Sequence, residues 1–94
     1  MPGPGPRIAK TTSLPRFKRA YKKLDPRIQK AVDDAIKNLT KNPMPPGLRL
    51  SKMWGQSDIW KVRVTDNYRM SFKLEGDLAI LRNVDTHDEL IDHP

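Results

Sequence analysis

Ile59-Trp60-Lys61-Val62-Arg63-Val64 and, beyond Thr65-Asp66-Asn67, Tyr68-Arg69-Met70-Ser71-Phe72-Lys73-Leu74 alternate apolar with polar side chains. Successive side chains of an extended chain point to opposite faces, so each run predicts a strand with one face toward a core. Trp60, Val62, Val64, Tyr68, Met70, Phe72 and Leu74 share the apolar face. If the runs pair as a hairpin with these faces together, Lys61, Arg63, Arg69 and Lys73 converge on the other face. The outward side of a half-buried sheet is ordinarily mixed in polarity, so a surface this cationic is a candidate for binding phosphates.

The pattern extends in both directions from this hairpin. Gly76-Asp77 predicts the next hairpin turn and Leu78–Val84 a last strand. Upstream, Leu48-Arg49-Leu50-Ser51-Lys52-Met53 reads as a strand and residues 55–58 as a turn. Asn42-Pro43-Met44-Pro45-Pro46-Gly47 is a loop, because its three prolines remove donors and restrict their predecessors. Before it, Asp25-Pro26 reads as an N-cap and first helical residue, with Ile28, Val32, Ile36 and Leu39 as a buried stripe joined by Ala31 and Ala35. A shorter helix precedes that one, capped by Ser13 with Pro15 in its first turn, and presents Phe17, Ala20, Tyr21 and Leu24 on one face. Residues 7–12 are compatible with a short strand. Helices followed by consecutive hairpins predict an α+β fold: a twisted antiparallel sheet carrying an N-terminal helical hairpin on its apolar face.

The chain has 94 residues, with 18 Lys+Arg against 11 Asp+Glu for a net charge of +7 and a pI of about 10.0. This favours a polyanion or an acidic protein as partner. The first 52 residues hold 13 of the cations and three aspartates, while the remainder is mildly acidic. There is no cysteine, hence no disulfide, thiolate nucleophile or zinc-thiolate site. No apolar run approaches the roughly 20 residues of a membrane-spanning helix. Met-Pro-Gly-Pro-Gly-Pro lacks the apolar core of a signal peptide. The expectation is a flexible leader over residues 1–6, one domain over residues 7–94, a cytoplasmic location and no cofactor.

Phe17, Lys22-Lys23-Leu24-Asp25, Ile28-Gln29, Asn42-Pro43, Leu48-Arg49-Leu50, Asp58-Ile59-Trp60, Arg63 to Arg69, Glu75-Gly76-Asp77 and Val84-Asp85-Thr86-His87-Asp88-Glu89-Leu90 carry a resemblance. Together they are similar to the RelE/ParE superfamily of type II toxin–antitoxin toxins, over nearly everything after the leader. The resemblance implies a compact sheet with two helices and neutralisation by an antitoxin. In the RelE branch it implies ribosome-dependent cleavage of translated mRNA, and in the ParE branch inhibition of DNA gyrase. An inactive relic that only binds antitoxin is a third alternative. An acidic antitoxin would occupy grooves around the helices and the sheet edge by helix and strand addition.

Cutting RNA without a metal requires a base for the 2′-hydroxyl proton, cations for the charge growing at phosphorus and an acid for the leaving 5′-oxygen. Lys61, Arg63 and Arg69 are the candidate cations. Arg69 resembles the phosphate-binding arginine that follows a tyrosine in RelE-like toxins, and Lys61 and Arg63 match a basic pair one strand earlier. The alternative for all three is a solvated strand face. His87, with an ordinary pKa near 6.5, is the candidate proton-transfer group, against the alternative of a surface histidine capped by Asp85 or Asp88. Whether a lysine or the histidine is the base stays open at this level. Asp85 stands where relatives commonly have glycine, and a carboxylate there should make His87 more basic. The C-terminal tyrosine of many ribosome-dependent relatives is replaced by Ile91 or His93. Lys18, Arg19, Lys22, Lys23 and Lys73 are candidate contacts to RNA phosphates, or a solvated face. Trp60 belongs to the core, and Trp54 either flanks the site or covers the helices. No metal site is expected from His87, His93, Asp85, Asp88 and Asp92.

Overall fold

The computed structural model describes residues 6–53 and 58–94. Its central feature is the predicted hairpin, β3 (Ile59–Arg63) with β4 (Tyr68–Glu75). The register pairs Trp60 with Phe72 and Val62 with Met70. β5 (Leu78–Thr86) continues the same face, setting Val84 opposite Met70 and Leu81 opposite Phe72. Phe72, Met70 and Val62 are fully buried, and the Trp60 ring stacks on Phe72 with centroids 6.4 Å apart. The turn between β4 and β5 uses Gly76 at φ +60°, a conformation open to glycine without Cβ strain.

Two helices cover this face. α1 (Pro15–Lys22) contributes Phe17, and α2 (Pro26–Leu39) contributes Val32, Ala35 and Leu39, all buried in one cluster with the strand residues. Asp25 caps α2 as predicted, accepting from the Arg27 amide at 2.8 Å, a cap that stabilises a helix by typically ~1 kcal/mol. The Tyr21 hydroxyl donates to Asp33 Oδ1 at 2.9 Å, tying α1 to α2. That bond to a carboxylate, then burial and the nearby charge, hold the phenol above its ordinary pKa.

Several sequence expectations change. Ser13 does not cap α1; it ends β1 (Lys10–Ser13), and Leu14 is the N-cap residue with no side-chain bond. β1 lies parallel to β5, with Lys10 opposite Leu78 and Ser13 opposite Leu81. The sheet is therefore mixed, in the order β1-β5-β4-β3-β2. The strand expected over Leu48–Met53 shrinks to β2 (Ser51–Lys52), because residues 46–48 form a 3-10 turn and Arg49 follows in the left-handed region at φ 48°, which an extended strand cannot contain. β5 runs two residues past Val84 and contains a bulge, since Ser71 faces Asn83 while Phe72 faces Leu81, leaving Arg82 without a partner. A third helix, α3 (His87–Asp92), follows directly. It packs against β4 and β5. Its Leu90 is buried outside the main cluster, and the carbonyl of the following His93 accepts from Asn83 Nδ2 at 2.7 Å and Arg16 Nη2 at 3.1 Å. Trp54 and the 55–58 turn, apart from Asp58, lie outside the described residues.

Two stability measurements follow from this packing. Phe72→Ala should lower the unfolding free energy by about 3–5 kcal/mol, read as a reduced urea midpoint with unchanged slope; a loss below ~1 kcal/mol would show that the Trp60–Phe72 row is not the core. Because the Tyr21 pKa is raised in the folded protein, its contribution is complete below the ordinary phenol value and fades as pH rises through the folded one. The stability gap between wild type and Tyr21→Phe should accordingly narrow at strongly alkaline pH, and a gap independent of pH would contradict the hydrogen bond to Asp33.

Candidate functional site

The face opposite the core is organised in three cross-strand rows. At the turn end, Arg63 faces Arg69, which faces Asp85. The next row is Lys61, Ser71 and Asn83, and the one beyond is Ile59, Lys73 and Ile80. The four cations expected to converge thus separate. Lys73 stands four residues along β4 from Arg69, about 13 Å at strand rise, among apolar neighbours. Lys61 lies one row from the arginines. Ser71 and Asn83, in the same row as Lys61, are buried, with the end of α3 held over Asn83. The cationic surface is consequently concentrated at the β3–β4 turn rather than spread along the hairpin.

That turn is held by its own side chains. Thr65 Oγ1 accepts from the amides of Asn67 at 3.3 Å and Tyr68 at 3.1 Å, the hydroxyl-capped turn that threonine favours. Arg69 Nη1 donates to the carbonyls of Thr65, of Asp66 at 3.2 Å and of Tyr68 at 3.0 Å. A guanidinium has five N–H donors, and all three contacts use one nitrogen. Nη2 and Nε of Arg69 keep their donors while the side chain is pinned to the loop. Arg63 Nη2 pairs with Asp66 Oδ1. The bond and charge from Arg63, with smaller help from Arg69 and Arg49, hold the Asp66 carboxyl below the usual carboxylate range against weak opposing desolvation.

His87 belongs to the same corner. Thr86 is the register partner of Tyr68, and the next residue, His87, donates its amide to the Asn67 carbonyl at 2.9 Å. Its side chain is 44% exposed, with Nδ1 3.5 Å from Asp88 Oδ1. The carboxylate beside the imidazole is therefore Asp88, whereas Asp85 Oδ1 accepts from the Thr86 amide at 2.8 Å. Arg63, Arg69 and His87 are gathered on one turn by strand register and one backbone bond. Asp66 and Asn67, which organise them, belong to the Arg63–Arg69 stretch that carries the resemblance, but their own residue types do not announce these bonds.

The basic residues of α1 divide between two sides. Lys18 and Lys22 border an apolar groove of about 420 Å³ with Ser13, Phe17, Tyr21 and Ile36. Arg19 and Lys23 line a separate cleft, of about 410 Å³, against β5. Among the described residues, no three His, Asp or Glu side chains are grouped to hold a metal ion, and no helix is long and apolar enough to cross a membrane.

No protein-family model matches the sequence, and comparison by sequence with characterised proteins finds no match. Solved structures do match. The chain resembles the RelB–RelE antitoxin–toxin complex of Methanococcus jannaschii with a TM-score of 0.71 and 22% identity, over 88% of this chain and 99% of that one. It resembles the Escherichia coli DinJ–YafQ complex with a TM-score of 0.63 and 17% identity, over 85% and 94% of the two chains. For the Pyrococcus horikoshii RelE–RelB complex the values are 0.66 and 14%, over 84% and 94%. At these identities the likeness is one of fold.

An NMR titration of the side-chain carboxyls tests the turn directly. Asp66 should titrate below the ordinary aspartate range in wild type and move back toward it in Arg63→Ala; an Asp66 midpoint indifferent to that substitution would dissolve the pair.

Proposed function

From the premise of a fold shared with RelE-type toxins, we propose that this chain is the toxin of a type II toxin–antitoxin system and a ribosome-dependent endoribonuclease acting on translated mRNA. The observation that carries the reading is the turn-end cluster, in which two arginines face one another across a strand pair with His87 fastened to the same turn. Like charges directly opposite on adjacent strands weaken a sheet, and a bound phosphate would relieve that repulsion.

In this reading the RNA 2′-hydroxyl attacks the adjacent phosphorus while the bond from phosphorus to the 5′-oxygen breaks. The products are a 2′,3′-cyclic phosphate and a 5′-hydroxyl. Arg69, pinned through Nη1, offers Nη2 and Nε to the phosphate oxygens, and a preorganised donor of this kind contributes most where charge develops. Arg63 adds a second guanidinium once the anion replaces Asp66. His87 transfers a proton, since an exposed imidazole can act in either direction near neutrality. Lys61, one row behind, adds positive charge. Lys18 and Lys22 contact ribosomal RNA phosphates. An acidic antitoxin segment suits the apolar groove these two lysines border, and the structures of similar fold include complexes with RelB and DinJ.

A toxin that inhibits DNA gyrase, or an inactive antitoxin-binding relic, is the second reading. It is favoured by the carboxylate of Asp66 on Arg63, which competes with an incoming phosphate, and by Asp85 in register with Arg69, which adds negative charge to the same row. Primer-extension mapping of message 5′ ends after brief induction separates the readings, with a DNA-damage reporter in the same cells. Wild type should cut within translated codons. Arg69→Ala and His87→Ala should each lower cleavage by about 10²-fold or more and abolish growth arrest, with unchanged thermal unfolding. Intact messages with growth arrest and DNA damage would replace the nuclease by the gyrase reading, and the absence of arrest would leave the relic.

A further inference from the structure

β1 pairs with β5 only as far as Ser13 and Leu81. Beyond that point no strand among the described residues covers the outer side of β5, and α1 packs beside it. Between them lies the cleft of about 410 Å³, lined on the helix side by Arg16, Arg19 and Lys23 and on the strand side by Tyr68, Asn83 and Asp85. The three cations recur at helical spacing along one flank of α1 and its C-cap, Lys23. No acidic residue occurs in α1, so the helix wall is uniformly positive. Asp85 is the one carboxylate in the lining, and its Oδ1 is engaged by the Thr86 amide.

The cleft adjoins the candidate site through two shared residues. Tyr68 precedes Arg69 on β4, and Asp85 is the register partner of Arg69 on β5. Its volume falls in the range that receives small ligands. Cations on one wall and an aromatic ring on the other are what a single-stranded nucleotide requires, the phosphate meeting Arg and Lys and the base stacking on the ring. Arg16 also donates to the His93 carbonyl, which fixes its side chain at the mouth, while Arg19 and Lys23 are exposed.

We infer that this cleft is a second nucleotide subsite, in which Arg19 and Lys23 hold a flanking phosphodiester of the same RNA strand whose scissile phosphate lies at Arg69, and Tyr68 stacks on a base. The inference rests on the RNA-cleaving reading. It assigns Arg19 and Lys23 to the substrate strand and leaves Lys18 and Lys22, on the other side of α1, for other contacts.

Fluorescence anisotropy with 2′-O-methyl oligoribonucleotides, which bind but cannot be cut, tests it on the full chain without ribosomes. A trinucleotide reports the site at Arg69, and a nonanucleotide reaches the cleft as well. Wild type should bind the longer strand more tightly. The double variant Arg19→Ala, Lys23→Ala should bind the trinucleotide like wild type and lose most of the gain with length. Its salt slope on the nonanucleotide should fall by roughly 0.7 per phosphate contact removed. Arg69→Ala should weaken both strands. A double variant that keeps the whole gain overturns the subsite and leaves the cleavage site intact. Loss of the gain in the double variant, with Arg69→Ala indifferent to both strands, upholds the subsite and removes Arg69 from the phosphate. Failure of wild type to bind either strand overturns both.

Discussion

The pairing of Val62 with Met70 is the constraint on which the rest of the structure depends. Both side chains are fully buried beneath the helices, and a one-residue slip would turn every side chain of β3 over. The apolar row fixes the polar one, so Arg63 must face Arg69. The repulsion between these guanidiniums is accepted because the core on the other face leaves no alternative register. The chain then supplies the arginines with acceptors, Asp66 to Arg63 and three loop carbonyls to Arg69.

Alternation and helical spacing made β3, β4, α1 and α2 legible, and proline after aspartate located the start of α2. These signals are local. What escaped is set by tertiary pairing. Lys10–Ser13 becomes a strand only because Leu78–Leu81 receives it in parallel. Arg82 looks like one more outward strand residue, yet the bulge removes its partner and shifts the remainder of β5. The run Leu48–Met53 has strand character in its side chains, but Arg49 in the left-handed region breaks it.

The candidate site was legible in its residue types and less so in its geometry. The alternation names Arg63, Arg69, Lys61 and Lys73 as equals; register and burial separate them, because Ser71 and Asn83 beside Lys61 are buried and Lys73 ends opposite Ile59 and Ile80. His87 was named from chemistry, but its attachment to Asn67 is a backbone bond that no side-chain pattern announces. Lys18, Arg19, Lys22 and Lys23 lie close together in sequence, yet successive residues of a helix point in different directions, and the two grooves divide them.

The parallel pairing of β1 with β5 joins segments 68 residues apart in the sequence, Lys10 with Leu78 and Ser13 with Leu81. Contacts this distant close a large loop before they return any stabilisation, and they order late in folding. β5 is also the strand that delivers Asp85 and, one residue beyond its end, His87. A nascent chain that has made α1, α2 and the central hairpin therefore carries the arginines without the histidine and without the strand that closes the sheet. Assembly of the corner that gathers Arg63, Arg69 and His87 is thus coupled by topology to the ordering of β5, the strand that also receives β1.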